Sequence, residues 1–293
     1  MKKNANCKIW LNGRIVPDSK AKVSIWDRGF LYGDGVYETV RVYNGRIFRS
    51  EGHWKRLRHS LAGLRIAYQA SDAQITRACL DTARANGIKE GLVRITVTRG
   101  EGEVGYDPST CGKPTVVVLA LPVRGDLTEL WRGGVKIALV KVRRNHPGAL
   151  NPAIKHTNCL NGILAKIESL KSKAFEGVFL NLDGYLAEGT ISNIFVVKGS
   201  LVKTPALDCG ILDGVTRGAT IEVARKLGYT VNETRIRPFE LYGADEAFLT
   251  STTMEVMPIV QVDRKKIGTG FPGRVTAHLQ EHLKNLIRKE LKF

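Results

Sequence analysis

Lys155, in the run Asn151-Pro152-Ala153-Ile154-Lys155-His156-Thr157-Asn158-Cys159, is the residue whose type and setting could do the most demanding chemistry in this chain. A lysine amine that has lost its proton attacks a carbonyl carbon and forms a Schiff base, and burial or a neighbouring cation promotes that loss. Lys155 stands at the end of an extended stretch, just before a helical stripe of Leu160, Ile163, Leu164, Ile167 and Leu170. Most lysines are solvated surface groups, so it gains weight only from partners. Glu188 lies between two strand-like runs and could keep a heteroaromatic ring nitrogen protonated; it could equally be a turn residue. Gly214 precedes Val215 and Thr216 at the start of a helix with Ile221, Ala224 and Leu227 on one face. Free amides at such a terminus bind anions, although a glycine turn into a helix needs no ligand. Thr250, Ser251, Thr252 and Thr253 follow a strand and offer hydroxyls and turn amides. Arg56, on a helical run with Trp54, Leu57 and Leu61, is either a fixed charge for an anion or a solvated helix arginine.

The elements that must position these groups are legible in outline. Asn12-Gly13 and Asn44-Gly45 each separate two strand-like runs, a strong hairpin signal. Helices are expected over Glu51–Leu64 and over 72–86, the second closing at Asn86-Gly87. Strands are expected at 92–98 and 115–121. Residues 1–121 therefore read as a small α/β domain, 122–134 as a linker without a clear period, and 135–293 as a larger α/β domain. The second half shows strands at 135–142, 177–182, 193–197 and 246–250, with helices near 158–173, 216–227 and 272–290. This order suits antiparallel sheets with interspersed helices, an α+β arrangement, better than a regular βαβ series. Gly100-Glu101-Gly102-Glu103-Val104-Gly105 matches the dinucleotide-binding glycine pattern letter for letter. That reading needs a helix starting inside the motif, and Pro108 and Pro114 forbid one.

Composition narrows the classes further. The 293 residues are 43% hydrophobic and 25% charged, as in an ordinary globular protein. Five scattered cysteines without a C-x-x-C pair argue against a disulfide framework and a zinc site, and for a reducing cytoplasm. No apolar run approaches the ~18 residues of a membrane span, and no secretory apolar segment follows Lys2 and Lys3. The net charge of +17 is spread from Lys2 to Lys292 and accompanies no nucleic-acid-binding motif. It speaks for solubility and for steering of an anionic ligand or substrate rather than for nucleic-acid binding.

Taken in order, seven segments carry a resemblance over about Ile9 to Ile267: YGDGVYETVRVYNGRIF, HWKRL, VTRGEGEVGYDP, IKHTNCLNGILAK, LAEGTISNIF, GVTRGA and LTSTTMEVMPIV. The chain resembles the class IV pyridoxal-phosphate aminotransferases, which include branched-chain aminotransferases, D-amino-acid aminotransferases and aminodeoxychorismate lyases. That resemblance implies fold type IV: two α/β domains with pyridoxal 5′-phosphate at their interface, working as a homodimer in which each site borrows a partner loop. It implies that Lys155 forms the aldimine with the cofactor and moves a proton between the substrate Cα and C4′. Glu188 then contacts the pyridinium nitrogen, and Arg56, the amides of Val215 and Thr216, and Thr252 hold the phosphate. No metal is implied.

Substrate choice divides the same residues. Tyr37, Arg94, Thr252 and Thr253 are the substrate-side candidates. Branched-chain members carry a tyrosine two residues before the strand arginine, where this chain has Leu92 before Arg94. D-specific members carry Arg-x-His in the next loop, which here reads Gly102-Glu103-Val104-Gly105-Tyr106. The lyases have an arginine in place of Val104. Yet Ile154-Lys155-His156 and Thr39 resemble the lyases, and Cys159 replaces an aromatic residue found in many branched-chain members. VTRGEGEVGYDP and the ADEAFLTSTTMEVMPIV ending favour the branched-chain type. The expectation is an aminotransferase acting between an apolar L-amino acid and 2-oxoglutarate, with a lyase or a D-amino-acid or amine transaminase as the alternatives.

Overall fold

A computed structural model describes residues 7–123 and 127–293. Its contacts divide the chain into two units, one running through Val123 and taking in Ile154–Cys159, the other holding the segment that ends at Ala153 and Leu160–Lys292. The sequence reading places 154–159 with the second half. The backbone of that segment instead bonds to the first unit, where Thr157 N–H donates to the Gly35 carbonyl at 2.8 Å.

The first unit is an antiparallel sheet covered on one face by two helices. β1 (Lys8–Leu11) and β2 (Arg14–Pro17) meet at Asn12-Gly13, with φ of 46° and 97°. After the short α1 (Arg28–Tyr32), β3 (Gly35–Tyr43) and β4 (Arg46–Ile47) meet at Asn44-Gly45, with φ of 45° and 73°. Two consecutive positive φ values match the right-handed twist of the flanking strands, which is why asparagine and glycine stand there. α2 (Ser50–Gly63) and α3 (Asp72–Ala85) follow, the latter opened by a capping box between Ser71 and Gln74. β5 (Gly91–Thr98) and β6 (Thr115–Pro122) complete the order β2-β1-β6-β5-β3-β4. The stretch between them contains no helix beginning inside Gly100–Gly105. Alternate residues Val36, Val40, Val93, Ile95, Val97 and Val118 pack against Trp54, Leu57, Leu61 and Ile75. Tyr37, Thr39, Leu92, Arg94 and Thr96, of the opposite parity, stay half-buried on the other face.

The second unit holds a mixed sheet. α4 (Thr128–Gly133) lies inside the stretch read as a linker, 122–134; residues 124–126 of that stretch fall outside the described residues. Too short to show a period, α4 is held because Leu130 and Trp131 join the core and Trp131 Nε1 donates to the Met254 carbonyl at 2.9 Å. β7 (Val135–Leu139), α5 (Leu160–Lys171), β8 (Glu176–Leu180), β9 (Leu186–Gly189), β10 (Asn193–Lys198) and β11 (Leu201–Pro205) come next. α6 (Val215–Lys226), β12 (Thr230–Thr234), α7 (Pro238–Tyr242), β13 (Glu246–Ser251), β14 (Glu255–Val262), β15 (Lys265–Lys266) and α8 (Arg274–Leu291) follow. The order is β12-β11-β10-β13-β14-β7-β8-β9, with β15 beside β14. The expected antiparallel sheet is thus corrected to a mixed one: β7 runs parallel to both β14 and β8, and β11 runs parallel to β12.

α5 departs from the sequence pattern. Its apolar stripe faces outward, with Leu160 and Leu170 each 60% exposed and Ile163 53%. The helix turns Ala165 and Ser169 inward instead. Small residues let its backbone approach β8 at Gly177, where a Cβ would press on Val140, the Ala165 carbonyl and Ser169. Among the described residues no helix is long and apolar enough to cross a membrane, and no three histidine, cysteine or acidic side chains group to hold a metal.

Candidate active site

Lys155 sits half-buried in the irregular segment that returns to the first unit. Its backbone is tied at both ends: its N–H donates to Ser60 Oγ at 3.0 Å, and its carbonyl accepts from Tyr37 N–H at 2.9 Å. His156 pairs as an isolated bridge with Val36. So α2 and β3 together fix the lysine's main chain while the side chain reaches the Tyr37 face of the sheet. There Nζ lies 4.5 Å from the centre of the Tyr37 ring. The Arg94 guanidinium stacks on the same ring at 3.6 Å, and Arg94 Nε donates to Thr96 Oγ1 at 3.3 Å. Thr39 pairs directly with Arg94 across β3 and β5, and Leu92 lies two residues along the same face. Lys155, Tyr37 and Arg94, singled out from sequence, are therefore brought together. Among the described residues Arg94 has no carboxylate partner.

Arg56 occupies the other side of β3. Its Nε donates to Glu38 Oε1 at 2.6 Å and its Nη2 to Glu38 Oε2 at 2.9 Å. His53 Nδ1 lies 3.0 Å from the same Oε2. Burial alone would push the Glu38 carboxyl up; the Arg56 charge and the hydrogen bonds from His53 and Arg56 outweigh it and hold the group well below the usual carboxylate range. Burial pushes His53 down, partly opposed by Glu38. Glu38 and His53 were not anticipated, yet both leave a trace: Glu38 shares the parity of Val36 and Val40, and His53 lies on the stripe of Trp54, Leu57 and Leu61. A charge on an apolar face announces a buried partner.

The second unit gathers the remaining candidates around Glu188. Rather than a turn residue, Glu188 is a β9 residue only 5% exposed. Its Oε1 accepts from Arg144 Nε at 2.9 Å and lies 2.8 Å from Arg144 Nη2. Its Oε2 accepts from the Leu212 N–H at 2.9 Å and from Asn193 Nδ2 at 3.4 Å. Arg144 Nη1 in turn donates to Asn161 Oδ1 at 3.0 Å. Arg144 comes from a stretch without regular structure or periodicity, and no sequence signal pointed to it. Asn193 also donates to the Leu212 carbonyl at 2.9 Å, fixing the loop that enters α6.

Gly214 is the N-cap of α6 and has no side chain with which to cap it. A Cβ on Gly214 would overlap Asn193 Oδ1, so only glycine lets the loop pass. The amides of Val215 and Thr216 thus open the helix without an acceptor from the N-cap residue's side chain, and such a terminus favours an anion. Thr250 stands opposite Asn193 in the β10–β13 register, and its buried Oγ1 has no hydrogen-bond partner. Thr252 and Thr253 lie in the turn after β13, where Ser251 Oγ and Thr253 Oγ1 are 3.0 Å apart. A helix start with no N-cap side chain, a buried hydroxyl without a partner among the described residues, and a fixed carboxylate form a set of groups that fits a phosphorylated heteroaromatic cofactor.

Comparison with known proteins agrees with this chemistry. The sequence profile of amino-transferase class IV matches residues 35–262. A Methanocaldococcus jannaschii chain carrying the provisional name branched-chain-amino-acid aminotransferase is 39% identical over 282 residues, covering 96% of this chain and 97% of that one. Aminodeoxychorismate lyase of Bacillus subtilis is 36% identical over 289 residues, with 96% and 97% covered. The crystal structure of the T.th. branched-chain amino acid aminotransferase with pyridoxamine 5′-phosphate superposes with a TM-score of 0.91 at 30% identity, covering 96% of this chain and 94% of that one.

Proposed function

The chain belongs to the class IV amino-transferases, which work with pyridoxal 5′-phosphate, and from that premise we propose that it moves an amino group between an apolar, branched-chain-like L-amino acid and 2-oxoglutarate. The observation that carries this reading is the convergence of Lys155 and Arg94 on one Tyr37 ring. An amine able to bond a carbonyl and a guanidinium without a carboxylate partner among the described residues stand on one half-apolar face, as an amino-acid substrate requires. Bound cofactor supplies an electron sink that lets a proton leave the substrate Cα. Lys155 carries the cofactor and moves that proton; Tyr37 and Leu92 offer apolar surface to the substrate side chain. Arg94 takes a carboxylate, and Thr252 and Thr253 offer further hydrogen bonds to it. Glu188 holds the proton of the ring nitrogen, and Arg144 fixes the carboxylate and balances its charge. Arg56, the amides of Val215 and Thr216, and Thr252 hold the phosphate.

A lyase acting on aminodeoxychorismate is the second reading, favoured by Thr39 directly opposite Arg94 and by His156 after the lysine. Single additions to the cofactor-loaded protein separate the two. Loss of the cofactor's visible absorbance with L-leucine or L-valine, and its return with 2-oxoglutarate, supports amino transfer. Response to D-alanine alone, or pyruvate release from aminodeoxychorismate without an acceptor, would replace it. The exposed stripe of α5 supports a homodimer, and five free cysteines fit work in a reducing cytoplasm.

A further inference from the structure

Beneath the face that carries Tyr37, β3 and α2 enclose a carboxylate, an imidazole and a guanidinium for which substrate contact gives no reason. Glu38 is fully buried, His53 is 2% exposed, and the Arg56 side chain is 10% exposed. We propose that Glu38 is a positioning residue that orients the Arg56 fork toward the cofactor phosphate, with His53 locking the carboxylate in place. This rests on the proposed assignment of Arg56 to that phosphate.

The geometry carries the argument. Two parallel N–H bonds, from Nε at 2.6 Å and Nη2 at 2.9 Å, fix the plane of the guanidinium and leave its remaining N–H groups aimed in a set direction. A carboxylate oxygen can only accept, so His53 Nδ1, 3.0 Å away, is the protonated nitrogen and donates. That bond prevents Glu38 from rotating away from Arg56. Glu38 lies next to Tyr37 on β3, and Arg56 lies one turn before Ser60 on α2. Tyr37 and Ser60 are the two residues that hold the Lys155 backbone. One strand and one helix thus set both the lysine and the arginine, and Glu38 joins them at the centre.

A countereffect decides the sign of the test. Glu38 neutralises Arg56, so its removal raises the net charge available to an anion. In Glu38→Gln, however, the amide NH2 opposes the arginine's N–H groups and turns the fork away, so orientation is lost along with neutralisation. We expect orientation to dominate, because phosphate recognition by arginine depends on the paired fork.

Binding of pyridoxal 5′-phosphate and of pyridoxal, which lacks the phosphate, to the apo form of wild type and variants reads this directly. Glu38→Gln is expected to weaken pyridoxal 5′-phosphate binding by about tenfold or more while pyridoxal binding changes less than about twofold. Equal weakening of both, or no weakening of either, overturns the proposal. Arg56→Lys keeps the charge and removes the fork, and guards against a Glu38 variant that does not fold. It should show the same phosphate-selective loss, and full retention of affinity would equally overturn the proposal. If wild type bound neither compound, the family-based cofactor assignment itself would fail, a result distinct from any of these.

Discussion

A lysine amine that must bond a carbonyl carbon has to be held still, and backbone contacts meet that condition here. Ser60 and Tyr37 pin the main chain of Lys155 at 3.0 and 2.9 Å, so its side chain starts from a fixed point. Lys155→Ala is expected to lose about 10²–10⁴-fold in turnover for the proton-transfer role alone, and more for loss of the covalent link, with an unchanged circular dichroism spectrum. Near-normal turnover would show that another group does this work. Glu188 makes a second case. Four donors surround its carboxylate, and Arg144 supplies the charge among them. Arg144→Met strands a buried carboxylate and is expected to cost about 3 kcal/mol in urea unfolding, since broken buried pairs typically lose that much. A loss below about 1 kcal/mol would mean that the neutral donors suffice. Glu188→Gln should lower turnover more than it lowers cofactor affinity, measured by steady-state kinetics and by titration; the reverse order would remove Glu188 from the ring nitrogen.

Between single residues and the whole chain, three elements set the behaviour. β3 and α2 bury Glu38 charged and His53 neutral, and both directions are acid-sensitive. Each group binds fewer protons folded than unfolded, so acid favours the unfolded chain. On acidification the unfolded chain protonates His53 near pH ~6.5 and Glu38 near pH ~4.3, while the native state resists both. Thermal stability should therefore fall from about pH 6.5 downward, and most steeply near pH 4. In Glu38→Gln/Arg56→Met the drop near pH 4 should be shallower; an identical profile would place the acid sensitivity elsewhere. The third element is α6, at its start. Gly214→Ala forces a Cβ against Asn193 Oδ1, the same asparagine that reaches Glu188. A cost of about 1–3 kcal/mol is expected, as for overpacking elsewhere, together with weaker phosphate binding. Neutral stability and unchanged affinity would remove the loop from the site.

At the scale of the molecule, what the sequence shows and hides follows from what each pattern measures. Alternation in β3 and β5 identifies the covered face because one side of that sheet meets α2 and α3, and Asn-Gly pairs mark both hairpins because few residues accept consecutive positive φ. The same logic misreads α5: a helical stripe of leucine and isoleucine reports apolarity, and cannot say whether the apolar face meets this chain's own core. Here Ala165 and Ser169 meet the core and the stripe stays exposed. An exposed stripe of this kind points to a protein surface that becomes covered. Ile163→Asp/Ile167→Asp is expected to convert the proposed dimer to a monomer in sedimentation experiments, and a monomeric wild type would contradict the proposal. The site residues split in the same way. Lys155, Glu188 and Gly214 lie in distinctive motifs, whereas Arg144 comes from an irregular segment where no period selects one arginine over its neighbour Arg143. The substrate stays open in the sequence because Leu92, Val104 and Cys159 depart from more than one relative at once.

The role of Lys155 is tested most directly by adding pyridoxal 5′-phosphate, reducing with borohydride and mapping the modified peptide by mass spectrometry. One phosphopyridoxyl adduct is expected, on Lys155, and none on that peptide in Lys155→Ala. An adduct on a different lysine, or a protein that takes up no cofactor at all, would contradict it.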